Sequence, residues 1–457
     1  MINEIIYQIK YFSTHCPDSI AIQYLDEKIS FQDLERETDY IAFELSKHIS
    51  QQNEPIVIYQ QRGIKFVEYM IGVLKCGCCY VPIEDDIPPQ RVNYIVKNVG
   101  AKIILSDFNK CVGKVECLAI VVNQNDKVEF SVPNIVADAL VYIMYTSGTS
   151  GVPKGVKIMY RNLINLINSF KYILYDKLSE NCNIGLLASF SFDSSVKQVY
   201  NALFYGHRLI IAERKTKFFG RSIHTFHANN KIDVCDVTPS ILELMTRQKT
   251  AILSPAHFLL VGGEKLRWST LRQYMDFVEV EPTFINVYGP TECCVDVAYN
   301  IVNNQDINTM EGYVSIGKPV LNTHLSIIDE LGREVQKTNE VGELTIYGEQ
   351  VGAGYINSNS SSFDINNDLR SYRSGDKAIY TNEGIVILGR VDNQVKIHGY
   401  RIELDEINGI IEKYWKCNCF TVKIEENMNE KLAVFVCKTF DKDEEKLRRD
   451  LKNVIPF

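Results

Sequence analysis

The chain alternates short apolar runs with stretches in which apolar residues recur at helical spacing, from about Val141 to Val287. This alternation predicts strands and helices arranged in layers, which is an α/β fold. Each apolar run ends at a polar or glycine-rich segment, and in open α/β sheets ligands bind at the carboxyl ends of the strands. The clearest runs are IGLLASF from Ile184, IDVCDV from Ile232, FLLV from Phe258 and TFINV from Thr283.

The pattern changes after about Val314, where apolar and polar residues alternate one by one. GELTIYG from Gly342 and GIVILGR from Gly384 are typical of strands, and turn-forming residues separate them. A small β-rich subdomain is therefore predicted in this part of the chain. The polar stretch INSNSSSFDINND from Ile356 is interpreted as a surface loop.

Composition limits the classes of function. The chain has 457 residues, of which 46% are apolar, and this suffices for two or three domains with cores of their own. The formal net charge of −8 leaves no basic excess for nucleic-acid phosphates, so no nucleic-acid partner is expected. The longest apolar runs fall far short of the about 20 residues that span a bilayer, so no membrane association is expected. Thirteen cysteines in a long acidic chain suit a reducing compartment, and the expected location is cytoplasmic.

The segment YTSGTSGVPKG, from Tyr145 to Gly155, follows a strand-like run and combines glycines, hydroxyl side chains and one lysine. Glycines let backbone N–H groups approach an anion closely, the hydroxyls add donors, and Lys154 supplies positive charge. This chemistry suits a polyphosphate. The loop matches neither the Walker pattern nor the dinucleotide-binding glycine pattern, and a loop rich in Gly and Ser is by itself often a flexible turn.

Other motifs accompany this loop in a fixed order. They are VLKCGCCYVPIEDDIPPQR from Val73, FSFDSS from Phe190, VYGPTE from Val287, GELTIYGEQVGAGY from Gly342, YRSGD from Tyr372 and GRVDNQVKIHGYRIELDEI from Gly389. Together they resemble the adenylate-forming superfamily, and within it the amino-acid adenylation domains of non-ribosomal peptide synthetases. The resemblance covers nearly the whole chain. It implies an α/β fold with a large N-terminal adenylation core over residues 1–391 and part of a small, mobile α+β C-terminal domain over residues 392–457.

The resemblance implies a site for ATP and Mg²⁺. Thr146 and Thr149 would contact phosphate oxygens beside Lys154, and Glu292 would coordinate the Mg²⁺ ion, which prefers oxygen ligands. Tyr288 would stack on the adenine ring. The other implied nucleotide contacts are Ser147, Gly148, Ser150, Gly151, Gly263, Glu264, Lys265, Asn286, Val287, Gly289, Thr291, Asp376 and Arg390.

Each of these roles has a plainer alternative. A glutamate after a turn is often a solvated residue of a first helical turn, and a tyrosine at a strand end is often part of the core. An aspartate such as Asp376 before a strand is often a turn residue. One position departs from the family pattern, because Ile387 stands where an aromatic residue is expected, so that nucleotide contact is weakened or absent.

Asp392 matches the hinge at which the small domain of the family rotates between two steps of the reaction. The segment after it would then enter the active site, with Lys396 as a catalytic residue, although a solvated charged strand is the alternative. In the family a further segment follows, ending in a glycine-lysine motif whose lysine reaches the α-phosphate. This sequence, which ends in NVIPF, contains neither that motif nor a carrier-protein serine motif. The carrier protein is therefore expected in trans or beyond this sequence.

The residues after FSF bear on the class of acid. Asp193 resembles the family aspartate that pairs with the α-ammonium group of an amino acid, a group that fatty and aryl acids lack. The alternative for Asp193 and Ser194 is to cap the helix-like SSVKQVYNALF. The remaining pocket positions implied by the resemblance are Ser194, Lys197, Asp236, Leu260, Gly262, Val287, Val295 and Asp296.

Lys197 shares a helix face with Tyr200 and Phe204, so its ammonium group can point inward from an apolar wall. A buried lysine needs an anion. A substrate side chain with a short methylene stem and a terminal carboxylate meets this need, and the residue set resembles the pockets of glutamate-activating domains. Glutamine is the alternative if Asp236 accepts from the amide, and a Lys197 that reaches water instead is the structural alternative.

The resemblance thus implies an amino-acid adenylating ligase. It would use ATP and Mg²⁺ to form glutamyl-AMP and pyrophosphate, and would then pass the acyl group to the phosphopantetheine thiol of a carrier protein. An acyl-CoA or aryl-acid ligase is an alternative that Asp193 argues against. A nucleotide-binding or interaction module that is deficient in catalysis is the other alternative.

Overall fold

The computed structural model describes residues 4–107, 115–123, 128–146, 153–247, 255–357, 360–366, 369–392, 394–397, 400–415, 419–426 and 429–436. Among these residues the strands are, in chain order, β1 (Ile20–Tyr24), β2 (Glu27–Ser30), β3 (Pro55–Gln60), β4 (Cys79–Glu84), β5 (Ile103–Leu105), β6 (Glu116–Leu118), β7 (Leu140–Thr146), β8 (Lys154–Met159), β9 (Asn183–Leu186), β10 (Arg208–Ile211), β11 (Val234–Val237), β12 (Phe258–Val261), β13 (Thr283–Tyr288), β14 (Ala298–Ile301), β15 (Lys318–Pro319), β16 (Thr323–Ile328), β17 (Gly342–Gly348), β18 (Phe363–Asn366), β19 (Leu369–Thr381), β20 (Gly384–Arg390), β21 (Gln394–Ile397), β22 (Tyr400–Glu403), β23 (Cys419–Glu426) and β24 (Asn429–Val436). The helices are α1 (Glu4–His15), α2 (Phe31–Ser46), α3 (Ile64–Lys75), α4 (Pro89–Val99), α5 (Tyr160–Ile173), α6 (Ser194–Phe204), α7 (Gly220–Asn230), α8 (Pro239–Thr246), α9 (Trp268–Met275) and α10 (Leu404–Trp415).

Two large sheets carry most of the fold. One has six strands in the order β6-β5-β3-β4-β7-β8, and its only antiparallel pair in the described ranges is the hairpin β7–β8. The other has nine strands in the order β15-β14-β13-β12-β11-β9-β10-β1-β2, parallel from β13 to β1. Central strands such as β3, PIVIYQ, are apolar along their length because elements cover both faces. The predicted α/β layering is therefore present.

Helices packed between the two sheets join them into one core. Eleven of the twelve residues of α3 are buried, as expected for a helix surrounded on all sides. One apolar cluster includes residues of α2, α3, α5 and α6 together with strands of both sheets. Because this core is shared, side chains at the carboxyl ends of the two sheets are held at fixed separations.

A third sheet forms the β-rich subdomain that the alternating pattern predicts. Its strands run in the order β16-β17-β19-β18, and β20 pairs with β19. The surface-loop interpretation of the segment after Ile356 is wrong at Phe363–Asn366, which is strand β18. The Phe363 ring lies 4.7 Å from that of Tyr372 and 5.3 Å from that of Tyr355, so one aromatic residue anchors an otherwise polar segment.

The described part of the C-terminal region consists of the hairpin β21–β22, helix α10 and the hairpin β23–β24. The boundary between residues 391 and 392 stays a prediction. Helices in the described ranges all lack the length and apolarity needed to cross a bilayer.

Arg62 joins the two large sheets next to the ends of their strands. It follows β3 of the six-stranded sheet, is buried, and donates to the carbonyl oxygens of Leu186 (2.7 Å), Ala188 (2.6 Å) and Ala212 (2.6 Å) near β9 and β10. It also lies 3.2 Å from the buried carboxylate of Glu84, at the end of β4. Burial lowers the pKa of Arg62, and the Glu84 carboxylate opposes this shift.

Replacement of Arg62 by Met should lower the free energy of unfolding by about 3–5 kcal/mol, because it removes the closer and more deeply buried of the two arginines that face the Glu84 carboxylate and leaves only Arg214, at 3.4 Å. Urea-induced unfolding measures this change. The control is Arg333→Met, which removes an exposed ion pair with Asp329 and should cost less than about 1 kcal/mol. Equal effects of the two substitutions would contradict the role given to Arg62.

Candidate active site

The glycine-rich loop connects the hairpin strands β7 and β8, and this fixes its two ends. Thr146 and Lys154 are directly paired across the hairpin. Five predicted contacts, Ser147, Gly148, Thr149, Ser150 and Gly151, lie outside the described residues. The structure thus brings Thr146 and Lys154 together at the base of the loop.

Glu292 lies in a short 3₁₀ helix (Thr291–Cys293) that directly follows β13 and the turn Gly289–Pro290. Its carboxylate is buried and accepts a hydrogen bond of 2.6 Å from the hydroxyl of Tyr355. The ammonium group of Lys154 lies 5.4 Å from the centre of the Tyr355 ring. The structure therefore brings Lys154 and Glu292 to the same aromatic residue.

Tyr355 was not among the predicted site residues. Its signal in the sequence is its place as the last residue of GELTIYGEQVGAGY, one of the motifs on which the resemblance rests. It forms a bridge with Val156 of β8, and the N–H of Gly352 donates to the carbonyl oxygen of Glu292 at 2.9 Å. The motif GELTIYGEQVGAGY, whose sequence predicts a strand and a turn, therefore also holds the buried Glu292 in place.

Asp376 of β19 lies between two other predicted nucleotide contacts. The hydroxyl of Tyr288 donates to Asp376 Oδ2, and Arg390 Nη1 lies 3.2 Å from Asp376 Oδ1. Arg390 also contacts Asp392, the predicted hinge residue, through Nε (2.9 Å) and Nη2 (2.7 Å). A carboxylate has about four acceptor positions, so Asp376 can accept further hydroxyl donors beside these two.

Asn286, on the same strand as Tyr288, uses its amide nitrogen internally. The Nδ2 atom donates to the carbonyl oxygen of Ser315 at 2.8 Å, which directs the side-chain oxygen toward other donors. The predicted contacts Gly263, Glu264 and Lys265 follow β12. Gly263 has φ +81°, and the Glu264 carboxylate accepts from the N–H (3.0 Å) and hydroxyl (2.6 Å) of Ser240.

Two further predicted residues are Lys265, a nucleotide contact, and Lys396, a catalytic residue. Lys265 Nζ donates to the carbonyl oxygen of Leu388 at 2.9 Å, next to Ile387, which is buried in the core of the third sheet. Lys396 lies on β21, but its side chain lies outside the described residues.

Four of the predicted amino-acid contacts, Asp236, Leu260, Gly262 and Val287, belong to one face of the neighbouring strands β11, β12 and β13. Asp236 of β11 pairs with Leu260 of β12, which pairs with Ile285 of β13. Residues directly opposite each other in a sheet point to the same side, as do residues two apart, so Gly262 and Val287 belong to this face as well. Val287 leaves no room for a side chain at position 262, since a Cβ there would lie 2.7 Å from Val287 Cγ2.

Lys197 of α6 faces this wall. Its Nζ lies 2.7 Å from Asp236 Oδ2 and 2.6 Å from Asp296 Oδ2, and the side chains are 3%, 12% and 6% exposed respectively. The Phe170 ring centre lies 5.0 Å from the same ammonium group. Burial acts to lower the pKa of Lys197, but the two aspartates outweigh it and raise this pKa to about 12. The interpretation in which Lys197 reaches water therefore does not apply.

Asp193 is the residue before the first turn of α6, at the N-cap position, and its side chain makes no capping hydrogen bond. Ser194 begins the helix. The segment before Asp193 is fixed from the other sheet, since the N–H of Phe190 donates to Glu84 (2.8 Å) and the hydroxyl of Ser191 accepts from the N–H of Glu84 (2.9 Å). The Asp193 side chain therefore does not cap helix α6, which was the structural alternative for this residue.

A family model described as AMP-binding enzyme matches residues 10–356 of this chain. The chain belongs to the AMP-binding enzyme family. This confirms the superfamily predicted from the motifs, and the α/β fold predicted with it is also confirmed.

Curated relatives of this AMP-binding family member include large synthases. It is 34% identical to bacitracin synthase 1 of Bacillus licheniformis over 86% of the chain and 8% of that protein. It is 33% identical to surfactin synthase subunit 1 of Bacillus subtilis (strain 168) over 87% of the chain and 11% of that protein. The chain thus spans only about a tenth of the length of these relatives.

Solved structures with the same fold include the holo form of PA1221, described as a non-ribosomal peptide synthetase protein containing adenylation and PCP domains. The TM-score is 0.87 at 21% identity, covering 98% of this chain and 78% of that one. The adenylation domain AlmE of Vibrio cholerae, solved with glycyl-adenosine-5'-phosphate, gives a TM-score of 0.84 at 20% identity, covering 99% and 91%. These likenesses show the fold.

The backbone between Glu292 and Asp296 is strained. Cys294 and Val295 have φ values of 50° and 74°, and positive φ is a true outlier for a β-branched residue such as Val295. Gly289 makes the close approach to this segment possible, since a Cβ there would lie 2.1 Å from the Val295 carbonyl oxygen. The strained segment places Asp296 beside Lys197 only four residues after the carboxylate of Glu292.

Replacement of Gly289 by Ala should therefore lower the free energy of unfolding by about 1–3 kcal/mol, because the added methyl group must displace the segment that carries Val295 and Asp296. Chemical denaturation measures the change. Gly389→Ala is the matched control, since a Cβ at that position meets nothing within 4 Å. A control variant as unstable as Gly289→Ala would count against this account.

Proposed function

We propose that this protein activates an amino acid with ATP, forming an aminoacyl-AMP and releasing pyrophosphate. Membership of the AMP-binding enzyme family supports this reaction. So does the clustering of the predicted nucleotide and amino-acid contacts at the carboxyl ends of β11 to β13, where ligands of α/β sheets bind. An amino acid as the substrate is supported by the structure of AlmE, which shares the fold and was solved with glycyl-adenosine-5'-phosphate, an adenylated amino acid.

In this proposal β13 presents the two substrates to each other. Asn286 and Tyr288 would contact the adenine, and Asp376 would accept the ribose hydroxyls. Thr146 and Lys154 would lie beside the phosphates, with the loop between them. A carboxylate oxygen of the amino acid attacks the α-phosphorus, and the bond from that phosphorus to the pyrophosphate oxygen breaks.

Glu292 suits the Mg²⁺ ion that the family implies. Mg²⁺ is usually held by one or two carboxylates together with substrate phosphates, and Glu292 is a buried carboxylate whose orientation Tyr355 fixes. No group of three or more potential protein ligands occurs in the part of the chain that the structure describes. Phosphate oxygens would supply the remaining ligands, and the bound ion would neutralise the charge that develops on the leaving pyrophosphate.

The second step of the proposal transfers the aminoacyl group to a phosphopantetheine thiol on a carrier protein. The thiol loses its proton as its sulfur attacks the acyl carbon, and AMP leaves. PA1221, which shares the fold, is described as containing a PCP domain in addition to its adenylation domain. We infer a carrier protein in trans or in a longer chain, and a cytoplasmic location stays part of the proposal.

The most specific part of the proposal is the substrate, L-glutamate. The observation that carries it is the ammonium group of Lys197, held by Asp236 and Asp296 against an otherwise apolar sheet face. An ammonium group has three N–H donors, and the two aspartates take two. The third can bind an oxygen at the end of a substrate side chain whose methylene stem packs on the apolar wall. Glutamine offers such an oxygen too, and its amide could donate to Asp236.

Amino-acid-dependent pyrophosphate exchange across the twenty amino acids tests the proposal. Glutamate should give the fastest exchange. Exchange with a fatty or aryl acid instead would favour an acyl-CoA or aryl-acid ligase, which Asp193 argues against. Nucleotide binding without exchange for any acid would favour a module deficient in catalysis.

Replacement of Lys197 by Met should abolish the preference for glutamate over methionine, because the substrate carboxylate would enter a buried site without a cation. Loss of a buried ionic partner costs about 3–5 kcal/mol, which corresponds to a loss of roughly 10²- to 4 × 10³-fold in relative exchange. The KM for ATP should stay unchanged. Lys171→Met, at an exposed ion pair with Asp176, serves as the control. A Lys197→Met enzyme that still prefers glutamate would show the assignment to be wrong.

Replacement of Asp193 by Asn should slow exchange with every α-amino acid by about 10²-fold or more, because the α-ammonium group loses its counter-charge in a desolvated site. ATP affinity, measured by calorimetry, should not change. The exposed Asp26, in the turn between β1 and β2, gives the charge-matched control Asp26→Asn. Undiminished exchange in the Asp193→Asn variant would return that residue to a structural role.

A further inference from the structure

The pocket that holds Lys197 carries an unbalanced charge. One ammonium group meets two carboxylates within 2.7 Å, and all three side chains are at least largely buried. When Lys197, Asp236 and Asp296 are ionised, the cluster has one net negative charge before any substrate arrives. A substrate with an anionic side chain would add a second negative charge and would remove water from the cluster as it binds.

The groups around Asp236 do not offset this charge. Lys197 and Gln198 of α6 and Asp296 face its carboxylate, and Tyr175 and Cys235 lie near it. Burial raises the pKa of both Tyr175 and Cys235 well above their ordinary values, so both stay neutral at physiological pH. Lys197 is therefore the cation in this set, and it is already shared between two aspartates.

We propose that binding of glutamate takes up one proton from solvent, and that Asp236 holds it. The substrate γ-carboxylate then accepts one hydrogen bond from the third N–H of Lys197 and one from the protonated carboxyl group of Asp236. No covalent bond of the protein or the substrate changes, and the proton comes from water or buffer. This inference rests on the proposed activation of glutamate.

Asp236 is the aspartate that lies on the sheet face with Leu260 and Val287, against which the methylene stem of the substrate would pack. Burial raises the pKa of Asp236 to about 6, against the lowering effect of Lys197. The γ-carboxylate of a bound glutamate would raise the pKa of Asp236 further, because a neighbouring negative charge disfavours ionisation. The proton is thus absent from most molecules at neutral pH and is acquired when glutamate binds.

Glutamine would bind the same pocket differently. Its amide oxygen can accept from Lys197, while its amide nitrogen donates to ionised Asp236, so no proton is needed. The affinity for glutamate should consequently fall as pH rises above about 6, by about tenfold per pH unit, while the affinity for glutamine should not. The side chain of free glutamate is fully ionised above about pH 6.5, and both amino acids carry the same α-amino group, so the comparison with glutamine removes any contribution from that group.

Isothermal titration calorimetry of the full chain with glutamate tests this inference. Titrations at about pH 7.5 in two buffers of different ionisation enthalpy give the number of protons taken up, which should be about one for glutamate and about zero for glutamine. Asp236→Asn should abolish both the uptake and the pH dependence of the glutamate Kd. Asp276→Asn, which removes an exposed carboxylate, should retain both.

The outcomes separate the two proposals. Glutamate binding without proton uptake in the wild-type chain would overturn the inference and leave glutamate activation intact, whereas an absence of glutamate binding and exchange would overturn the proposed activation of glutamate itself. Uptake that persists in Asp236→Asn would place the proton on another group and would also overturn the inference. Should that variant fail to fold, infrared difference spectra of the wild-type chain still decide, since glutamate but not glutamine should produce a protonated-carboxyl band.

Discussion

The burial of one guanidinium group, that of Arg62, sets the position of the site. Arg62 leaves one large sheet and donates to three carbonyl oxygens at the strand ends of the other. Taking such a charge out of water is costly, and only a full set of acceptors together with the Glu84 carboxylate offsets that cost. Glu84 also accepts from the Phe190 N–H, three residues before Asp193. The same interaction that joins the sheets thus orients the segment that ends in Asp193.

The proposed amino-acid pocket depends on the same principle, since it too holds a buried cation among carboxylates. Lys197 could not remain ionised on an apolar sheet face without Asp236 and Asp296, which reach it from β11 and from the strained segment after Glu292. The strain in that segment costs on the order of 1–3 kcal/mol per residue, and close contact with Gly289 is part of what holds it in place. The cluster is therefore held from three separate parts of the chain, which makes its geometry rigid.

Much of the fold and of the site could be predicted from the sequence, because the apolar runs and the ordered motifs are local patterns. The strand FLLV, which is β12, and the orientation of Lys197 toward an apolar wall follow directly from periodicity. Tyr355 and Arg62 could not be found in this way, since their partners lie 63 and up to 150 residues away. The strand Phe363–Asn366 was missed because its flanking serines and asparagines mask a single anchoring aromatic residue.

The side chains of strand β13 alternate between the two faces of the nine-stranded sheet. Ile285 and Val287 point to the face that carries Asp236 and Leu260, whereas Asn286 and Tyr288 point to the opposite face. Odd-numbered positions of this strand therefore border the proposed pocket for the acid, and even-numbered positions border the contacts proposed for the nucleotide. Substitutions at the odd-numbered positions leave the even-numbered positions unchanged. The choice of acid can therefore change in evolution while nucleotide recognition stays constant. The insertion or deletion of a single residue in β13 would instead exchange the two faces and abolish both functions at once.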